Sequence, residues 1–151
     1  MSSHYLYGYH ALNALLRNQP QRVSQIILQS GRQDERTQAI RALAQSNGIS
    51  IQQLSKSDIE KSLEGKVKSH QGMLAICESL PQYSQDDLQG LIDACEGPLL
   101  LLILDSIQDP HNLGACLRTA NAMGVHAVIA TRERAVGMTP VVHKVSAGAS
   151  L

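Results

Sequence analysis

Residues 104–128 read LDSIQDPHNLGACLRTANAMGVHAV, and this stretch decides the fold. It starts at the end of an unbroken apolar run, residues 99–104 (LLLLIL), opened by Pro98. Such a run suits a strand covered on both faces, as in a parallel sheet. A polar loop, residues 106–111, leads into a helix predicted over 112–123, which Gly124 ends. Residues 125–130 (VHAVIA) form the next strand, so the unit is a parallel crossover. Open α/β sheets place their ligands at the carboxyl ends of the strands, which makes this loop the candidate site. Pro110 restricts its backbone, and Asn112 stands at the predicted helix start. Gly114 and Ala115 leave the first turn bare, with room for another backbone or a ribose. Arg118 follows Asn112 by six residues and returns to the same end only through its long side chain.

Upstream, helices and strands alternate. Ala11, Leu12, Leu15 and Leu16 share one helical face, in a helix ending near Asn18 and Pro20. Residues 23–28 (VSQIIL), 49–54 and 72–77 (GMLAIC) are strands. A helix over 34–46 turns Ile40, Leu43 and Ala44 inward and stops at Asn47-Gly48. Ser57-Asp58-Ile59-Glu60 has capping-box spacing for a short helix. Residues 80–84 (LPQYS) read as a linker, followed by a helix over 86–95 with Leu88, Leu91 and Ile92 on one side. The pattern is that of a small α/β layer structure followed by a second α/β segment.

Composition narrows the function classes. The chain has 151 residues, enough for one ordinary domain or two small ones. Thirteen basic side chains balance thirteen acidic ones, so net charge exerts no global pull on nucleic acid. The distribution is uneven. Arg17, Arg22, Arg32, Arg36 and Arg41 face only Asp34 and Glu35 before residue 45, and residues 85–109 carry six acids without a Lys or Arg. After Pro110, Arg118, Arg132, Arg134 and Lys144 outnumber Glu133. Cys77, Cys95 and Cys116 are odd in number and widely spaced, which argues against a disulfide framework or a metal site and for a reducing compartment. The first residues lack a signal-peptide pattern, and the longest apolar run is too short to cross a membrane. A cytoplasmic protein is expected.

Residues 109–120 resemble the first motif of the SpoU branch of the SPOUT RNA 2'-O-ribose methyltransferases, D-P-x-N-x-G-x-x-x-R-x-A. Asp109, Pro110, Asn112, Gly114, Arg118 and Ala120 fill every fixed position. Three further segments agree in order and spacing. They are Tyr7-Gly8-Tyr9-His10-Ala11-Leu12, His70-Gln71-Gly72 and Lys144-Val145-Ser146-Ala147-Gly148-Ala149. One motif is a hypothesis, whereas four in register are hard to obtain by chance. The match is strongest with the bacterial subgroup that methylates a guanosine ribose in 23S ribosomal RNA.

The resemblance implies a division of the chain. Residues 1–78 would be a small RNA-binding α/β domain similar to kink-turn-binding ribosomal proteins. Residues 79–96 would be a linker and lead-in helix, and 97–151 the first part of a parallel-sheet α/β-knot domain. It assigns activation of the ribose hydroxyl to Arg118, holding of the ribose to Asn112, and RNA contacts to His10, Arg17, His70 and Gln71. It implies S-adenosyl-L-methionine as methyl donor, 23S ribosomal RNA as substrate and a homodimer. In the family the donor pocket and the knot use two later motifs, so no cofactor-binding residue and no activity are expected of these 151 residues alone. The rival is a non-catalytic RNA-binding module, which the neutral charge favours. A Rossmann-type nucleotide enzyme is set aside because no G-x-G-x-x-G turn follows a strand.

Overall fold

A computed structural model describes residues 4–63, 70–79 and 83–151. Residues 80–82 of the expected linker lie outside the described residues. The chain divides into two compact units, over 1–79 and over 80–150.

In the first unit, β1 (His4–Tyr7), α1 (Tyr9–Asn18), β2 (Val23–Gln29) and α2 (Glu35–Ser46) come in sequence. They are followed by β3 (Ser50–Leu54), α3 (Lys56–Ser62) and β4 (Met73–Cys77). The sheet order is β1-β4-β2-β3. β2 runs parallel to β3, while β4 lies antiparallel between β1 and β2. Strand β1 went unread in the sequence because its four residues are too few to show alternation. The period of two sorts the core. Leu6, Ile26, Leu28, Met73 and Ala75 pack with Leu12, Leu15 and Leu16 of α1 and Ile40 and Ala44 of α2. Tyr7, Ile27 and Leu74 point the other way, onto Ile59 of α3 and Leu63. Both faces of the central strands are covered, which is why residues 26–28 are uninterrupted Ile-Ile-Leu. The cap of α3 is Ser55 and not Ser57. The Ser55 hydroxyl accepts the Asp58 N–H at 3.2 Å, two residues earlier than the expected capping box. Asp34 caps α2 by accepting the Thr37 N–H at 2.9 Å.

The second unit holds α4 (Gln85–Ala94), β5 (Leu101–Leu104), α5 (Pro110–Ala122), β6 (Ala127–Ala130) and α6 (Pro140–Val145). Ser84, read as linker, caps α4 in a reciprocal box with Asp87. β5 and β6 pair in parallel, Leu101 opposite Ala127 through Leu104 opposite Ala130, with α5 as the crossover. Leu104, Leu113 and Val142 form the buried centre, and Leu102, Leu117 and Val128 pack around it. The expectation that the 99–104 run is covered on both faces does not hold among the described residues. Leu102 and Leu104 meet α5 and α6, but Ile103 alternates away and is 72% exposed.

Candidate functional site

The loop after β5 is built from its own polar groups. Ser106, at φ 54, donates its N–H to the Thr131 hydroxyl at 3.1 Å, which ties the exits of β5 and β6 together. Its hydroxyl donates to the Asp105 carboxylate at 2.9 Å. The Val136 N–H reaches the Ile107 carbonyl at 2.7 Å. Asp109, rather than Asn112, is the cap of α5. Its carboxylate accepts the N–H groups of His111 and Asn112 at 3.2 and 3.3 Å, and Pro110 takes the first helical position. The helix therefore begins two residues before the sequence-based boundary, and Asn112 sits in its first turn with no capping duty.

That shift frees the Asn112 side chain. Asn112 and Arg118 are both exposed, and among the described residues neither side chain has a hydrogen-bond or ion-pair partner. Six residues of helix separate their Cα atoms by about 9 Å of rise, within reach of a long guanidinium side chain. Of the two neighbours the sequence left room for, a backbone or a ribose, the structure places a backbone segment beside Gly114. A Cβ there would stand 2.6 Å from Val145 Cβ and 3.1 Å from the Ser146 nitrogen, so the glycine is where α6 seats against α5. Val145 and Ser146 are thereby fixed beside the second turn of α5. His143, which sequence reasoning passed over, is buried there, with Nδ1 2.8 Å from the Ser150 hydroxyl.

The outward groups suit a ribose–phosphate. An amide matches hydroxyls, and a guanidinium matches phosphate or a developing alkoxide. The remaining polar atoms, on Asp105, Ser106, Asp109 and Thr131, are turned onto one another or onto the helix start. These groups shape the loop, and among the described residues none is assigned to the methyl donor. Among the described residues no group of three His, Cys, Asp or Glu side chains gathers as a metal site.

The four residues assigned to RNA contact all lie in the first unit and divide into two kinds. His10 and Arg17 are exposed on α1, with the Arg17 Nε donating to Asn13 at 3.0 Å. Gln71 is exposed at φ 55, and its side-chain oxygen accepts the Tyr9 N–H at 3.0 Å. His70 is only 2% exposed, and its Nδ1 accepts the Gly72 N–H at 3.1 Å, so this ring shapes the turn from inside. Gly72 needs its φ of 70, and a Cβ on it would also meet the Arg32 guanidinium at 3.0 Å.

The described residues thus hold a parallel crossover with an exposed Asn and Arg on its helix, and a separate unit built on a mixed sheet. Residues 5–83 match the family model for RNA 2'-O ribose methyltransferase substrate binding, and 99–151 match the SpoU rRNA methylase family. The chain belongs to the SpoU family of RNA methyltransferases. It is 45% identical over 145 residues to the 23S rRNA (guanosine-2'-O-)-methyltransferase RlmB of Coxiella burnetii, covering 96% of this chain and 57% of that protein. With RlmB of Yersinia pestis it shares 43% over 148 residues, covering 98% and 59%. The chain thus spans less than two thirds of these relatives' length. The SpoU methyltransferase AviRb of Streptomyces viridochromogenes superposes with a TM-score of 0.71 at 17% identity, over 97% of this chain and half of that one. A second AviRb structure, solved in complex with AdoMet, gives 0.69 at 20% identity, over 97% of this chain and 52% of that one.

Proposed function

We infer that the full-length protein transfers a methyl group to the 2'-hydroxyl of a guanosine ribose in 23S ribosomal RNA. The observation that carries this is Arg118, exposed and without a hydrogen-bond or ion-pair partner among the described residues, on the helix that joins two parallel strands. S-adenosyl-L-methionine supplies an electrophilic methyl carbon. The ribose hydroxyl is a poor nucleophile: as its oxygen bonds the methyl carbon, the sulfur–methyl bond would break, the thioether S-adenosyl-L-homocysteine would leave, and the hydroxyl proton would pass to solvent water. Arg118 does not take that proton, because a guanidinium stays charged throughout. It holds the adjacent phosphate and stabilises the negative charge that grows on the oxygen. Asn112 steadies the ribose through its amide. Residues 1–78 serve as the RNA-binding domain, 79–96 as linker and lead-in helix, and 97–151 as the first part of the catalytic domain. The cysteine usage supports work in the cytoplasm, and the resemblance to the SpoU branch implies a homodimer.

In a full-length form, Arg118→Ala should reduce radiolabelled methyl incorporation into 23S rRNA by about 100- to 1000-fold, the usual cost of one lost donor at a developing charge. Thermal stability should change by no more than about 0.5 kcal/mol, as at other exposed positions. Retained activity would sink the role of Arg118. Activity lost together with several degrees of melting temperature would make the residue structural.

A further inference from the structure

We propose that Tyr9, His10 and Arg36 form a stacking site for one unpaired nucleobase of the RNA, an inference that rests on RNA being the substrate. The Arg36 guanidinium lies over the Tyr9 ring, 5.5 Å from its centroid. The His10 ring meets the same Tyr9 ring edge-on, with centroids 5.1 Å apart and planes at 72°. Tyr9 itself is anchored. Part of its surface packs on the core, its N–H is held by Gln71, and its hydroxyl lies 3.5 Å from the Asn13 amide. Arg32 fixes the frame, pairing with Asp34 at the start of α2 and donating to the Gln71 carbonyl at 2.6 Å. Helix starts and turn are thus cross-tied around one aromatic ring.

The outer members of the cluster are unspent. His10 and Arg36 are exposed, and among the described residues neither makes a hydrogen bond or an ion pair, only its contact with Tyr9. Arg32 and Asp34 neutralise each other, which leaves the exposed Arg36 and its oppositely charged neighbour Glu35 at this corner. A planar guanidinium backed by a rigid ring offers its free face to another planar, polarisable group. Nucleobases have that character, and their faces are open only where the RNA is unpaired. Helical RNA hides them and shows a major groove too narrow for side chains. Arg17 lies two turns along the same helix, about 12 Å from Tyr9, where the phosphates of the same strand run past.

Two RNAs of equal phosphate number separate stacking from charge: an unstructured single strand carrying 2-aminopurine, and a blunt duplex. With the full 151-residue chain, the single strand should bind more tightly and its 2-aminopurine fluorescence should fall on binding. Arg36→Lys keeps the charge and removes the plane. It should weaken single-strand binding by about 5- to 10-fold, with duplex binding unchanged. His10→Ala should act in the same direction, and both positions are exposed enough for the fold to survive. Equal losses on both RNAs, or none on either, would overturn the stacking site while leaving an RNA-binding protein. A native chain that binds neither RNA would overturn the RNA-binding reading along with it.

Discussion

The two units spend similar sequence on unequal interiors. In the first, a four-stranded sheet is covered on both faces, and Leu12, Leu15, Ile26, Leu28, Ile40 and Met73 are all sealed from water. In the second, two strands and two helices bury only three residues in one cluster, while Leu100, Ile103, Met123 and Met138 stay exposed. Helix α4 buries none of its residues. The lesson is that apolar content alone does not make an interior. Residues 99–104 are as apolar as residues 26–28, yet only the latter have partners on both sides. In the second unit the exposed Asn112 and Arg118 stand on the helix that follows β5, and the candidate chemistry gathers there.

The sharpest way to break this contrast is a pair of truncations. Leu28→Ala opens a hole in the sealed sheet and should cost about 2–5 kcal/mol, seen as lost amide-exchange protection across β2 and β4. Ile103→Ala, at an exposed strand position, should cost no more than about 0.5 kcal/mol. Equal losses would mean that Ile103 is covered in solution and that the units are alike.

A smaller effect is expected where α6 presses on α5 in the second unit. Gly114→Ala gains up to about 1 kcal/mol in helix propensity, but its Cβ would overlap Val145 and crowd the Ser146 backbone. Overpacking of that kind costs about 1–3 kcal/mol, so net destabilisation should win in a denaturant melt. A more stable variant would show that α6 moves freely away from α5.

The smallest effect is a pH dependence that belongs to the first unit. The hydrogen bond from Arg32, then that from the Thr37 backbone, holds the Asp34 carboxyl down at about 2. A carboxyl whose folded pKa is depressed contributes stability that is fully present above its unfolded value, near 4, and is lost as pH falls toward 2. Acid titration between pH 4 and 2 should therefore loosen the start of α2, and Asp34→Asn should flatten that part of the curve. An unchanged slope in the variant would place the acid sensitivity elsewhere. Asp58 and Asp87, lowered by the hydroxyls of Ser55 and Ser84, add to the native slope in the same direction.

Much of the site was legible because it is local. Asp109, Pro110, Asn112, Gly114 and Arg118 fall within ten residues, and their spacing on one loop and helix is a property of the chain itself. The alternation of elements, the α2 boundary at Asp34 and the reach of α1 were equally local, fixed by periodicity and by side chains that bond their own backbone. Other features needed the fold. Which of Asp109 and Asn112 caps α5 depends on the backbone path out of β5, and both residue types are good caps. Strand β1 exists because β4 pairs with it across some seventy residues, and no four-residue segment announces such a partner. Gly114 meets Val145 only because α6 returns to α5. Arg36 finds Tyr9 only because α1 and α2 pack side by side on one sheet face. Short-range hydrogen bonding and hydrophobic period are written into consecutive residues, whereas contacts between distant residues arise only when the elements pack to bury a shared surface.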